Sequence, residues 1–547
     1  MKIKRITAVK DLNFEHLPVC AADFIKQVIK KMRYRKKVRA DVAAELIAHF
    51  EDELKECSTD KQKEQKAQLL IAEFGDIKLL AVLLRRAKKR CRPLWRTLIA
   101  RGFQTAGLLI LCLIVYIAWF LSGKPAITTN YVEQLNRLTR PTADESLNAA
   151  PLYQKAIELY EASSETVDKL IWKKYNDVSS EEKRLMEKWL TDNSDILDLV
   201  IDGSKKPYCW FEYGDGKDND VMMEIQLPDT TSFRRLTKPL LWRSLIKAEE
   251  SRYEDAFDDI KACYRLGRHL KGNKTLLEQL AGIAVRASIA HELRYIISHH
   301  KINSAILASL QEDFEQMVTD EDFVISLDAE KLFLYDELQR SFTEDRFGGH
   351  LYFESLRPII LRGPDRELVN RLIEPLHILL THPDKQETIE TAERFYTFWD
   401  RVSQKTPGNL HSEEIDIEKE AAEIVRGNIL LKILPTAMNR VHDLSYRWRS
   451  DLEATLVIVA ILRYNQDTEH YPENLQQLVS AGFLKKLPMD AYSDNKPLVY
   501  KKTEDSFLLY SVGLNFTDDD GRVIRNSQGK VVIWDIEGDE VFWPVPK

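Results

Sequence analysis

Five sets of side chains in this 547-residue chain have types and spacings that invite a chemical reading. Asp215, Asp218 and Asp220 crowd the stretch GDGKDND and supply the oxygen ligands that a hard cation takes. The order lacks the later Glu that closes a calcium loop, so a solvated turn is the expectation. Asp328 and Glu330 are carboxylates of the kind that divide acid and base roles, although nothing near them in sequence lifts them above a solvated helix face. His299 and His300 are adjacent, so on a helix they leave about 100° apart and make a poor pair of ligands. His49 stands within one helical stretch with no second His or Cys close by. Cys209 and Cys263 could close one disulfide in an oxidising compartment, but spacing alone cannot bring their backbones together. There is no GxSxG elbow, no HExxH, no Gly-rich phosphate loop, no GxGxxG and no CxxC or Cys/His zinc spacing. No catalytic residue and no small-molecule substrate is therefore assigned. A hydrolase site made of acids that only the fold brings together is an alternative, because such a pair leaves no sequence trace.

The element that organises all of these is the stretch at 103–121, FQTAGLLILCLIVYIAWFL. From 106 to 121 no side chain is charged or strongly polar. As a helix it reaches roughly 28 Å, about the thickness of a bilayer's hydrocarbon core. Being apolar on every face, it is expected to span a membrane rather than to fill a core. Residues 85–101 hold eight Lys and Arg and no acid, whereas 124–140 hold three Lys and Arg. Basic flanks are retained in the cytoplasm. The expectation is a single-pass protein of the bacterial inner membrane with an uncleaved signal anchor. Residues 1–100 form a cytoplasmic helical bundle, 101–123 the transmembrane helix, 124–440 an exported all-α domain, and 441–547 a small α+β domain.

Composition fits that plan. The chain is 44% hydrophobic and 30% charged, ordinary for soluble domains flanking one span, and the net charge of −7 argues against nucleic acid as a partner. The run KKMRYRKKVR at 30–39 has seven basic residues in ten. It is expected to be a solvated helix end near the membrane, with lipid contact as a secondary benefit.

Helical periodicity runs through the first hundred residues. Val42, Leu46 and Phe50, widened by Ala43, Ile47 and Leu54, make a core-facing stripe. Ser58 and Thr59 offer N-caps, Gly75 suits the end of the third helix, and Asp76 can cap the fourth. Pro93 breaks or kinks the chain after that fourth helix. The residues Glu45, Leu46, His49, Glu51, Asp52 and Leu54, then Ala72, Phe74, Gly75 and Asp76, resemble the HAAS or permease-prefix helical module of bacterial membrane proteins. That resemblance implies an adaptor or signalling piece.

Beyond the span, residues 148–161 form an amphipathic helix, and Ser179 with Glu182 has capping-box spacing. Residues 240–270 read as a helix hairpin. Ala248, Ser251, Tyr253, Ala256, Ile260 and Cys263 fall at the small, turn, aromatic and apolar positions of a tetratricopeptide-type repeat. Further helices are expected at 275–298, 304–317, 326–341, 366–380, 386–403 and 413–434, giving a solenoid-like or irregular helical body.

The tail changes texture. A long helix is expected at 436–466, then strands at 498–501 and 507–512, and a second hairpin from 531–536 and 540–545. Arg463-Tyr464-Asn465, Tyr471-Pro472 with Leu475 and Leu478, Pro488, Asp490, Pro497, Tyr500 and Tyr510-Ser511-Val512-Gly513 resemble the globular half of major, G-type pseudopilins of type II secretion. The hydrophobic helix and processing site that precede that half are absent here, so a borrowed fold is expected rather than filament assembly. The resemblance implies a calcium ion on the acidic loop, held within Asn515, Asp518, Asp519 and Asp520. The whole arrangement also resembles a group of large single-span bacterial proteins of planctomycete type, a likeness that carries domain order and no reaction. The expected function is a non-enzymatic, membrane-anchored scaffold that binds envelope or secretion-related proteins. A transmembrane signalling protein with an outer sensing domain is the second alternative.

Overall fold

The computed structural model describes residues 9, 12–90, 94–163, 167–214, 221–344, 349–352, 354, 383–428, 430–432, 434–435 and 438–546. The expectations for Asp215, Asp218 and Asp220, for Pro93 and for a helix at 366–380 lie outside the described residues. The chain is mainly helical, with nineteen α-helices and one three-stranded sheet among the described residues. It divides into two compact units, Met1–Ala118 and Trp119–Lys547. Their charges are opposite: the first holds 25 Lys and Arg against 13 Asp and Glu, the second 54 against 73.

In the first unit α1 (Val19–Lys31), α2 (Lys36–Leu54), α3 (Asp60–Phe74) and α4 (Ile77–Arg90) enclose one apolar core. The stripe of Val42, Ala43, Leu46, Ile47, Phe50 and Leu54 is buried, and the Phe24, Phe50 and Phe74 rings cluster against it, Phe24 stacked on Phe74 and edge-on to Phe50. Thr59 caps α3 in a capping box with Gln62, Gly75 ends that helix at φ +71°, and Asp76 accepts the Lys78 amide. These are short-range interactions, which is why the sequence displays them. His49 is exposed and packs edge-on against Phe74. Leu79, Val82 and Leu83 of α4 face outward. The helix α5 (Leu94–Phe120) carries the apolar stretch. Its segment Arg101–Phe120 is long and apolar enough to cross a membrane and is only 6% buried, unlike a core helix.

The second unit is built on α10 (Thr230–Glu249), α11 (Tyr253–Arg268), α12 (Leu276–His299) and the long α18 (Met438–Thr468). The expected hairpin is α10–α11, turning at Ser251 with φ +62°, and Ala248, Ala256, Ile260 and Cys263 are buried in it. Around this centre lie α6 (Tyr131–Thr139), α7 (Ala150–Ser163), α8 (Ser180–Asp192), α9 (Ser194–Ser204), α13 (Ser304–Met317) and α14 (Asp328–Ser341). The capping box of Ser179 and Glu182 opens α8. Two glycines set close approaches: a Cβ on Gly282 of α12 would sit 2.6 Å from the Gly267 carbonyl of α11, and one on Gly203 of α9 2.6 Å from the Tyr153 ring of α7.

Two expectations are corrected. The helix expected at 413–434 is shortened to α17 (Ile417–Ile424), which a turn at Glu414 with φ +58° separates from α16 (Pro407–Ser412), itself following α15 (Lys385–Val402). Thr406 and Asp416 each start a new helix by capping it. The strand expected at 531–536 is turn. Trp534 adopts φ +53° and its amide donates to the Glu540 carboxylate, which folds the segment back and leaves Ile533 and Ile536 exposed. The sheet is β1 (Val499–Lys502), β2 (Phe507–Ser511) and β3 (Glu540–Trp543), antiparallel in that order. It rests on α18, followed in sequence by α19 (Leu475–Ser480). Because α18 also packs on α12 and α13, one apolar core runs through both sides of position 440.

Candidate functional site

The acidic loop after β2 is the site the sequence singles out. Tyr510 donates its hydroxyl to Asp518 Oδ1 at 2.7 Å, Asn515 Nδ2 donates to Asp519 Oδ2 at 2.8 Å, and Lys501 Nζ lies 2.7 Å from Asp520 Oδ1. Asp539, just before β3, accepts the backbone amides of Asp519, Gly521 and Arg522 at 3.1, 2.7 and 3.1 Å. Burial raises the Asp518 pKa, but the Tyr510 hydroxyl and the Asp520 amide outweigh it and hold the carboxyl below its usual value. Burial wins at Asp539, whose pKa is raised. Among the described residues no three His, Cys, Asp or Glu side chains are grouped so as to hold a metal ion. Lys501 already stands against Asp520, so a cation competes with it for that carboxylate.

The other sequence candidates are drawn apart. Asp328 pairs with Ser326 and Lys331, while Glu330 accepts the Leu276 amide at 2.7 Å and is pushed up to about 7, chiefly by burial. His299 stacks on Tyr295, and His300 packs against Tyr253. Cys209 and Cys263 are buried free thiols, so the disulfide is not formed, and burial pushes the Cys209 thiol up to about 12.

The tertiary structure assembles a second charged site that no sequence pattern announces. A cleft of about 550 Å³ is lined by Arg140, Lys205, Lys206, Arg265, Arg268, Lys271 and Lys274. Among the described residues no Asp or Glu lines it. The last residues of four helices reach it: Thr139 of α6, Ser204 of α9, Arg268 of α11 and Met317 of α13.

Each wall is pinned by long-range bonds. The Asn148 side chain pairs with both backbone groups of Trp210, and the Ala149 amide donates to the Tyr208 carbonyl. Trp210 Nε1 donates to the Thr139 hydroxyl, and the Arg140 guanidinium lies over the Trp210 ring at 4.9 Å. His269, itself part of the lining, bridges two walls. Its Nε2–H donates to the Lys206 carbonyl at 2.9 Å, and its Nδ1 accepts from the Tyr153 hydroxyl at 2.9 Å. A carbonyl only accepts, so this pairing fixes the neutral tautomer. Burial, helped by Lys274 and Arg268, lowers the His269 pKa to about 4 against the opposing bond to Lys206.

Several of the cations are already matched. Lys205 pairs with Asp202 at 3.0 Å, and Lys274 lies 3.7 Å from Glu278. Asp322, fully buried, holds Lys271 at 2.8 Å and Arg268 at 3.3 Å, and also accepts the Thr319 amide. Burial raises its pKa, but Lys271 and that amide outweigh it, leaving the carboxyl below its usual value. Lys206 Nζ donates to the Ser146 carbonyl. Arg265 has no acidic partner among the described residues.

No protein-family model, no curated protein and no solved structure matches this chain.

Proposed function

We propose that this chain is a non-enzymatic, single-pass membrane-anchored interaction protein of a bacterial cell envelope. Its basic four-helix unit lies in the cytoplasm and its acidic helical body outside. The observation that carries this reading is the exposed apolar segment Arg101–Phe120 set between chain segments of opposite net charge. A twenty-residue helix that is apolar from 106 onward is unfavourable when left uncovered in water, and a bilayer removes that surface from water. The basic flank on its N-terminal side favours cytoplasmic retention of the first unit. In this reading the outer body, with its pseudopilin-like tail, holds envelope or secretion-related partners, and the inner bundle is an adaptor.

One contact favours the signalling alternative. His350 reaches the carbonyls of Phe120 and Ser122 through Nε2 at 2.9 and 3.0 Å, and its ring packs on Trp119. The last two residues of α5, Trp119 and Phe120, thus belong to the packed second unit, a direct covalent link for any displacement of the apolar segment.

Carbonate extraction of membranes, with protease added to intact spheroplasts, tests the anchored topology. The expected result is a chain that stays in the membrane pellet and loses its outer body to external protease. Release into the soluble fraction, or protection of residues 124–547, sinks the reading.

A further inference from the structure

We infer that the cleft between the ends of α6, α9, α11 and α13 binds a small phosphorylated molecule carrying at least two negative charges. The inference does not rest on membrane topology, because the cleft lies wholly within the second unit.

The charge balance carries the argument. Seven cations line the cleft, and three carboxylates, Asp202, Glu278 and Asp322, offset part of them. The bland explanation is that the remaining cations serve the four helix C-termini. Each C-terminus carries about half a negative charge, so four supply about two. That leaves about two positive charges unmatched by ion pairs or helix ends; among the described residues Asp144 and Glu145 act on the rim at Tyr208 without pairing with a cation, and Arg286 draws on Asp322 as well. That balance also leaves Arg140, over the Trp210 ring, and Arg265 without an ion-pair partner among the described residues. Lys206 donates to a carbonyl that belongs to none of the four helices. Composition does not explain the surplus either, since this unit has 19 more acidic than basic residues. Like charges gathered in a half-enclosed space repel one another, and a bound polyanion relieves that repulsion.

Shape and chemistry narrow the ligand. A volume of about 550 Å³ suits one small molecule rather than a polymer. Guanidinium groups present parallel N–H donors that match the oxygens of a phosphate, and lysines add point charge. Of the lining residues, His269 is held neutral and Cys209 is a protonated thiol, so neither supplies positive charge or a nucleophile. The site is a binding site and carries no reaction.

Calorimetry on the full chain in non-ionic detergent tests this. The soluble probe is pyrophosphate, and short-chain phosphatidate dispersed in the same detergent represents a lipid headgroup. The expected result is saturable binding of one or both at one site per chain. Whichever binds more tightly identifies the source of the phosphate. Arg140→Gln/Arg265→Gln should weaken that binding about tenfold or more, the scale of one lost bidentate charge pair, with an unchanged melting temperature. If the double variant melts early, Arg265→Gln alone, which removes no ion pair, carries the comparison. Absence of binding by both probes overturns the site, as does equal binding by wild type and variant. Tighter binding of citrate than of either phosphate overturns the ligand class.

Discussion

The acidic loop and the basic cleft are both concentrations of one charge, and the second unit treats them in opposite ways. In the loop three successive carboxylates, Asp518, Asp519 and Asp520, are each met by a nearby donor: Tyr510, Asn515 and Lys501. Asp539 is consumed by three backbone amides. In the cleft seven cations from three chain segments, 140, 205–206 and 265–274, share three carboxylates. The lesson is that a run of charge visible in sequence sits where its own loop and neighbouring strand can neutralise it. Charge gathered from distant segments finds local partners for only some of its members, as Asp202 does for Lys205 and Glu278 for Lys274, and the surplus is what a ligand sees.

The largest effect should come from removing the acid that holds the cleft's inner wall. Asp322→Asn leaves Lys271, Arg268 and the buried Arg286 without their shared carboxylate. Breaking a buried ion cluster from one side costs roughly 3–5 kcal/mol, so the unfolding midpoint in urea should fall sharply. A loss below about 1 kcal/mol would mean that the cleft's charges do not depend on Asp322.

A smaller effect separates the neutral histidine from the charged wall. His269 titrates near 4 in the folded chain against an ordinary 6.5, so between those values the unfolded chain binds a proton that the folded chain refuses. Stability from this group is present above pH 6.5 and is lost as pH falls towards 4. The loss between pH 7 and pH 5 is about 2 kcal/mol. Relative to His269→Gln, the wild type should therefore lose stability over that interval in denaturant titrations. Parallel curves would show that His269 is protonated in the fold.

The smallest effect is expected at the acidic loop. With its carboxylates already engaged, thermal melts of the full chain in calcium and in chelator should coincide. An upward shift of several degrees with calcium would mean that the loop exchanges Lys501 for the ion, and would erase the contrast between the two sites.

The sequence by itself determined the mainly helical class, the apolar segment at Arg101–Phe120, the buried stripe of α2, the Ser179–Glu182 cap and the turn at Gly75. Each of these depends on residues within one or two turns of one another, so spacing alone displays it. The tail's first two strands were legible for the same reason. The partner of β2 was not: a backbone turn at Trp534, locked by Glu540, decides that residues 540–543 pair and 531–536 do not. The cleft was least legible of all. Its cations are scattered from Arg140 to Lys274 with no period, and each taken singly reads as a solvated helix end. Only the close approaches at Gly203 and Gly282, and the bonds of Asn148 and His269, bring those ends to one place. Long-range packing chose which charges became neighbours, and a linear pattern does not encode that choice.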